Sequence, residues 1–136
     1  TLTIGKPVLK DFKSFTKDIS DEEILQLAAS VDKNSEHPVA DAIVKGALEK
    51  DISLTEVDDF EAVTGMGVQA LINKHKVGLG NLYLVEAFGV KVDKKDEQLA
   101  VKWQQTGQTV MYLLVANKVV GIVGVADKIK PSSLAA

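Results

Sequence analysis

Thr109-Val110-Met111-Tyr112-Leu113-Leu114-Val115-Ala116-Asn117-Lys118-Val119-Val120-Gly121-Ile122-Val123-Gly124-Val125 carries the richest strand signal in the chain. Its β-branched and aromatic residues suit a pleated, packed surface better than a helix. The runs Thr109 to Val115 and Val119 to Val125 are divided by Asn117-Lys118, which predicts an antiparallel hairpin with a two-residue turn. The longest apolar runs, Val110 to Ala116 and Val119 to Ala126, fall far short of the roughly 20 residues that cross a bilayer.

Upstream, Val68 to Ile72 and Lys76 to Leu79 form a second hairpin pattern about the turn-type segment Asn73-Lys74-His75, and Val57 to Val63 reads as a further strand. Val8 to Phe15 has mixed polarity on both sides, the pattern of an edge strand or connector. Ser20-Asp21-Glu22-Glu23 has the form of a capping box, and Ile24, Leu27, Ala28 and Val31 follow at helical spacing, predicting a helix over Asp21 to Asp32. Pro38 suits the first turn of a second helix carrying Ala42, Ile43, Ala47 and Leu48 on one stripe, with Lys33 to His37 as the connection. Asn81 to Phe88 and Asp96 to Gln105 predict a second helical pair, the latter stopped by Gly107. Helices and hairpins come in blocks, so the expected class is α+β, a mainly antiparallel β-sheet flanked by two helical hairpins.

Bulk properties exclude several functions. A chain of 136 residues, 46% hydrophobic and 26% charged, is one ordinary folded domain. It has no cysteine, so disulfide scaffolds and thiolate metal sites are excluded, and His37 and His75 are the only imidazoles. A net charge of −3 is not the electrostatic footprint of a nucleic-acid binder. No basic start followed by an apolar stretch marks a secretory signal, and a chain beginning at Thr1 is expected to be a piece of a longer one.

Gly65-Met66-Gly67-Val68-Gln69-Ala70 has the letters of a dinucleotide fingerprint, but that motif opens a helix, whereas Val68, Ala70 and Ile72 continue as a strand. Two readings stay open: the glycines permit a tight turn, or they let a flat ligand or phosphate lie against bare backbone. Ser35-Glu36-His37-Pro38 stands at a helix entrance, where Ser35 or Glu36 could cap the first amides, or where the amides attract an anion and the imidazole meets a base. Gly78-Leu79-Gly80-Asn81 leaves a strand for a helix, with Asn81 as cap and Gly80 leaving room for a ligand. There is no GxxxxGK[ST] loop, GxSxG elbow or HExxH, so binding is expected rather than self-contained catalysis.

Leu27-Ala28-Ala29-Ser30, then Ser35-Glu36-His37-Pro38-Val39-Ala40-Asp41-Ala42-Ile43, then Gly65-Met66-Gly67 and Gly80-Asn81, in that order, resemble the nucleotide-binding domain of heavy-metal P-type ATPases of the copper-ATPase type. Thr1-Leu2-Thr3-Ile4-Gly5 resembles the tail of that family's phosphorylation motif, and Ala126-Asp127-Lys128-Ile129-Lys130-Pro131 its return to the phosphorylation domain. The resemblance implies residues 1–6 as a hinge remnant, 7–125 as the nucleotide-binding domain and 126–136 as the return hinge.

It further implies ATP with Mg2+ as ligand. His37 and Glu36 would lie at the adenine, Gly65, Gly67 and Val68 along the adenosine, and Gly80-Asn81 as another wall. Asp32 stands where the family often has Glu, one methylene shorter, at the adenine edge. The implied partner is the phosphorylation domain of the same full-length chain, whose Asp receives the γ-phosphate. The piece itself would be a monomer on the cytoplasmic side of an integral membrane protein, without direct membrane contact, and inactive alone. Affinity is expected between micromolar and millimolar, dominated by the base. The rival readings are a non-catalytic interaction module, whose motifs are only caps and turns, and a small complete hydrolase.

Overall fold

The computed structural model describes residues 7–127; the expectations for residues 1–6 and for Lys128 to Ala136 lie outside them. Along the chain run β1 (Pro7–Ser14), α1 (Asp21–Asp32), α2 (Pro38–Glu49), β2 (Asp58–Val63), β3 (Gly67–Ile72), β4 (His75–Gly80), α3 (Leu82–Ala87), α4 (Lys94–Gln105), β5 (Gln108–Val115) and β6 (Lys118–Asp127). The strands form one sheet in the order β1-β6-β5-β4-β3-β2, with every neighbouring pair antiparallel. β1 is an edge strand, as its mixed polarity predicts, and α4 begins two residues before the expected Asp96.

Period-two alternation in β5 sorts its side chains to opposite faces. Leu113 faces the larger core, built with Ile24, Leu25 and Ala28 of α1 and Ile43 and Ala47 of α2. Val110, Tyr112 and Leu114 face a second core closed by Leu84 and Val85 of α3 and Ala100 of α4. Two helical pairs thus cover the two faces. α2 comes close enough to β1 that a Cβ on Gly46 would stand 2.5 Å from a Leu9 methyl, so only glycine fits there.

Both tight hairpins turn on consecutive residues of positive φ, Asn73-Lys74 (51° and 69°) and Ala116-Asn117 (50° and 63°). Two adjacent positive φ values define the turn whose twist matches a hairpin. The second turn therefore sits one residue before the expected Asn117-Lys118, and Val115 pairs with Lys118. A register irregularity at Leu113/Leu114 absorbs the difference and sets Ile122 opposite Tyr112, in the same core layer.

Candidate functional site

α1 ends at Asp32 and α2 begins after His37, and the connection between them overhangs a notch in the sheet. The notch follows from strand length: β4 pairs with β5 only from Val77↔Val115 to Gly80↔Tyr112. Gln108 to Met111 consequently extend past the end of β4. The turn from β2 to β3 closes the far side of the opening, which forms a cleft of about 610 Å3. That size suits a nucleotide-sized ligand. Val39, Val68, Leu79, Val110 and Met111 line its apolar part, and Asp32, Ser35, His37, Gln104 and Gln108 its polar part.

Of the residues singled out in the sequence, Asp32, His37, Gly65, Gly67, Val68 and Asn81 line this cleft together. Glu36 lies instead along a separate groove between α2 and β1. Gly80 sits behind the turn: a Cβ on it would strike the Met66 carbonyl oxygen and stand 2.8 Å from a Leu84 methyl. Gly65 differs, with φ +75° and open space where a Cβ would point. Met66 N–H donates to Val63 O at 3.0 Å, closing a turn whose third residue is Gly65, a position that demands positive φ in type II geometry.

Asp32 is 4% exposed, and burial pushes its carboxyl up to about 7. No hydrogen-bond donor among the described residues offsets that desolvation, a costly state for a carboxylate. His37, not Ser35 or Glu36, caps α2: its Nδ1 accepts from Val39 N–H at 3.1 Å, while Ser35 Oγ accepts from His37 N–H at 3.3 Å. With Nδ1 as acceptor, the neutral ring carries its proton on Nε2.

Asn81 is held at both ends of its amide. Its Oδ1 accepts from Tyr83 and Leu84 N–H at 3.0 and 3.3 Å, and its Nδ2 donates to Gly65 O at 2.9 Å. Its backbone N–H donates to Met66 O at 2.9 Å. Sequence reasoning did not single out Val39 of α2, Gln104 of α4, or Gln108 and Met111 of β5 as cleft residues, the last two because only the β4–β5 register exposes that end of β5. Gln108 is buried, donates from Nε2 to Asp11 Oδ2 at 2.9 Å, and has no partner for Oε1 among the described residues.

A six-stranded antiparallel sheet with helices on both faces, opened by a notch that gathers a buried carboxylate, an imidazole and a bare glycine turn, has the architecture of a P-type ATPase nucleotide-binding domain. No family model matches the chain. It is 41% identical over 139 residues to the copper-transporting P-type ATPase of Rhizobium leguminosarum bv. viciae, covering 100% of this chain and 16% of that protein. To copper-exporting P-type ATPase B of Archaeoglobus fulgidus it is 37% identical over 133 residues, covering 98% of this chain and 18% of the relative. The crystal structure of the N-domain of HMA6, a copper-transporting P-type ATPase, superposes with TM-score 0.73 at 29% identity, over 88% of this chain and 98% of that one. A zinc-transporting PIB-type ATPase matches with TM-score 0.80 at 26% identity, over 94% of this chain and 20% of that one. The chain belongs to the heavy-metal P-type ATPases and corresponds to their N-domain. It spans only 16 to 18% of the length of the curated relatives.

Proposed function

We propose that the chain binds ATP and ADP in the notch by their adenosine and presents the γ-phosphate to an Asp in a neighbouring phosphorylation domain of a full-length, copper-type heavy-metal ATPase. The observation that carries this is Asp32, a buried carboxyl without a donor, which lines the same cleft as the His37 ring and the open face of Gly65. An exocyclic amine is the group such a carboxylate lacks. The apolar side chains of Val39, Val68 and Met111 suit the faces of a purine, and the imidazole of His37 can stack on it or donate from Nε2.

Nothing in the cleft resembles a phosphate loop, so the triphosphate is free to project toward its acceptor. Among the described residues no cluster of three or more His, Cys, Asp or Glu is placed to hold a metal ion. Mg2+ would therefore travel with the triphosphate, neutralising its charge during in-line transfer. The phosphorylated Asp belongs to the other domain, so this piece alone would bind nucleotide without turnover. Among the described residues no helix is long and apolar enough to cross a membrane.

Calorimetric titration tests the reading. ATP, ADP and AMP should bind with dissociation constants of about micromolar to millimolar, within roughly tenfold of each other. GTP, whose ring presents a carbonyl where adenine has its amine, should bind more weakly. Equal binding of GTP and ATP would contradict base recognition by Asp32, and no binding of any of them would leave an interaction module as the better account.

A further inference from the structure

We infer that Asn81 is a positioning residue, which acts on the nucleotide through the Gly65 turn and not by contact with the ligand. This rests on the nucleotide reading above. The Asn81 side chain is held at both ends: Oδ1 accepts from the two first amides of α3, and Nδ2 donates one of its two N–H groups to the carbonyl of Gly65. The adjoining backbone N–H holds the carbonyl of Met66. Two consecutive carbonyls of the turn are thus tied to one residue, sixteen positions away in sequence in the case of Gly65.

The turn has few other constraints. Gly65 itself touches nothing where a side chain would point, and glycine has more backbone freedom to lose than any other residue. What limits it is the Met66 N–H to Val63 O bond that closes the turn, the Asn81 clamp above and the close backbone approach of Gly67 to Gly80 behind. The bare backbone face of Gly65 forms part of the cleft. Holding that face in place before the ligand arrives removes an ordering cost from binding.

Asn81→Asp separates the two jobs of the side chain. Asp caps a helix as well as Asn does, so the α3 cap survives, while an oxygen now confronts the Gly65 carbonyl. Asn81→Ser keeps a capping oxygen and adds no charge, but its hydroxyl is too short to place a donor where Nδ2 meets the Gly65 carbonyl. Both variants and the wild type would be measured at a temperature well below unfolding, by amide hydrogen exchange without ligand and by titration with adenosine and ATP. The expectation is that Met66 and Asn81 amides exchange about tenfold faster in both variants and that adenosine binds about tenfold more weakly, with exchange in the β5 and β6 core unchanged. Weaker binding with unaltered exchange in the turn would make Asn81 a direct ligand and overturn the proposal, as would unaltered exchange with unaltered binding. If the wild type binds no nucleotide, the cleft has been misread, and the exchange measurement still decides whether Asn81 holds the turn.

Discussion

Gly67 and Gly80 face each other across the β3–β4 ladder with no room for a Cβ on either: one on Gly67 would lie 2.6 Å from the Gly80 Cα, and one on Gly80 would lie 3.0 Å from the Gly67 Cα. The obstructing atoms are backbone, which cannot rotate away. Gly80→Ala should therefore destabilise the domain by about 2 kcal/mol or more, as overpacking against fixed atoms does. Denaturant unfolding checks it, and a loss under about 0.5 kcal/mol, ordinary for a surface change, would show that the strands separate cheaply.

His37 has two separable duties, capping α2 and facing the cleft. His37→Asn supplies a good capping oxygen without an aromatic ring, so stability should fall by less than about 0.5 kcal/mol. Nucleotide affinity should drop about tenfold or more, in keeping with the loss of a base-stacking aromatic. Equal affinity in wild type and His37→Asn would leave His37 as a cap alone.

Asp32 makes the domain pH-dependent in a defined direction. Its folded carboxyl sits near 7 against an ordinary 3.8, so between those values the folded state holds a proton that the unfolded state has lost. Stability from this group is complete below about pH 4, declines as pH rises toward about 7 and is flat above, a total of a few kcal/mol. Asp32→Asn should abolish the decline and raise the melting temperature at pH 8. Ligand binding runs the other way: the ionised carboxylate accepts from an amine more strongly than the neutral acid does, so adenosine affinity should fall by up to about tenfold from pH 8 to pH 6. In Asp32→Asn that affinity should be low at both pH values. Adenosine is the probe because it carries no phosphate of its own to titrate.

Ser30 offers the control. It is fully buried in α1, donates to Gln26 O at 2.7 Å and accepts from Thr55 N–H at 2.8 Å, away from the cleft. Ser30→Ala leaves the Thr55 donor unmatched and should cost about 1 to 2 kcal/mol of stability with no change in nucleotide affinity. A loss of affinity as large as that of His37→Asn would mean that binding reports general stability and not the site.

Helix ends were legible because caps are local chemistry. Ser20 with Glu23 marks α1 and Pro38 marks α2, and both helices start where those residues place them. The turn falls on Ala116-Asn117, one residue before the expected pair, because the register is set by pairing between strands, with an irregularity at Leu113/Leu114, and not by the turn residues alone. Asp32 and His37 were visible through their motif, but the burial of Asp32 and the Nδ1 cap of His37 arise from tertiary packing. Gln108 carried no signal at all, since the notch beside it exists only because β4 pairs with part of β5, and Gln104 reaches the cleft only through the packing of α4. The glycines of the motifs divide in role, Gly65 open to the cleft and Gly67 and Gly80 packed against each other.

Amide NMR titration with ATP and ADP at equal Mg2+, on wild type and His37→Ala, tests the central claim most directly. The account predicts shifts concentrated at Asp32 to His37, Gly65 to Val68 and the β5 segment Gln108 to Met111, similar for the two nucleotides and weakened by the substitution. Unmoved resonances at millimolar nucleotide, or shifts confined to the groove between α2 and β1, would contradict it.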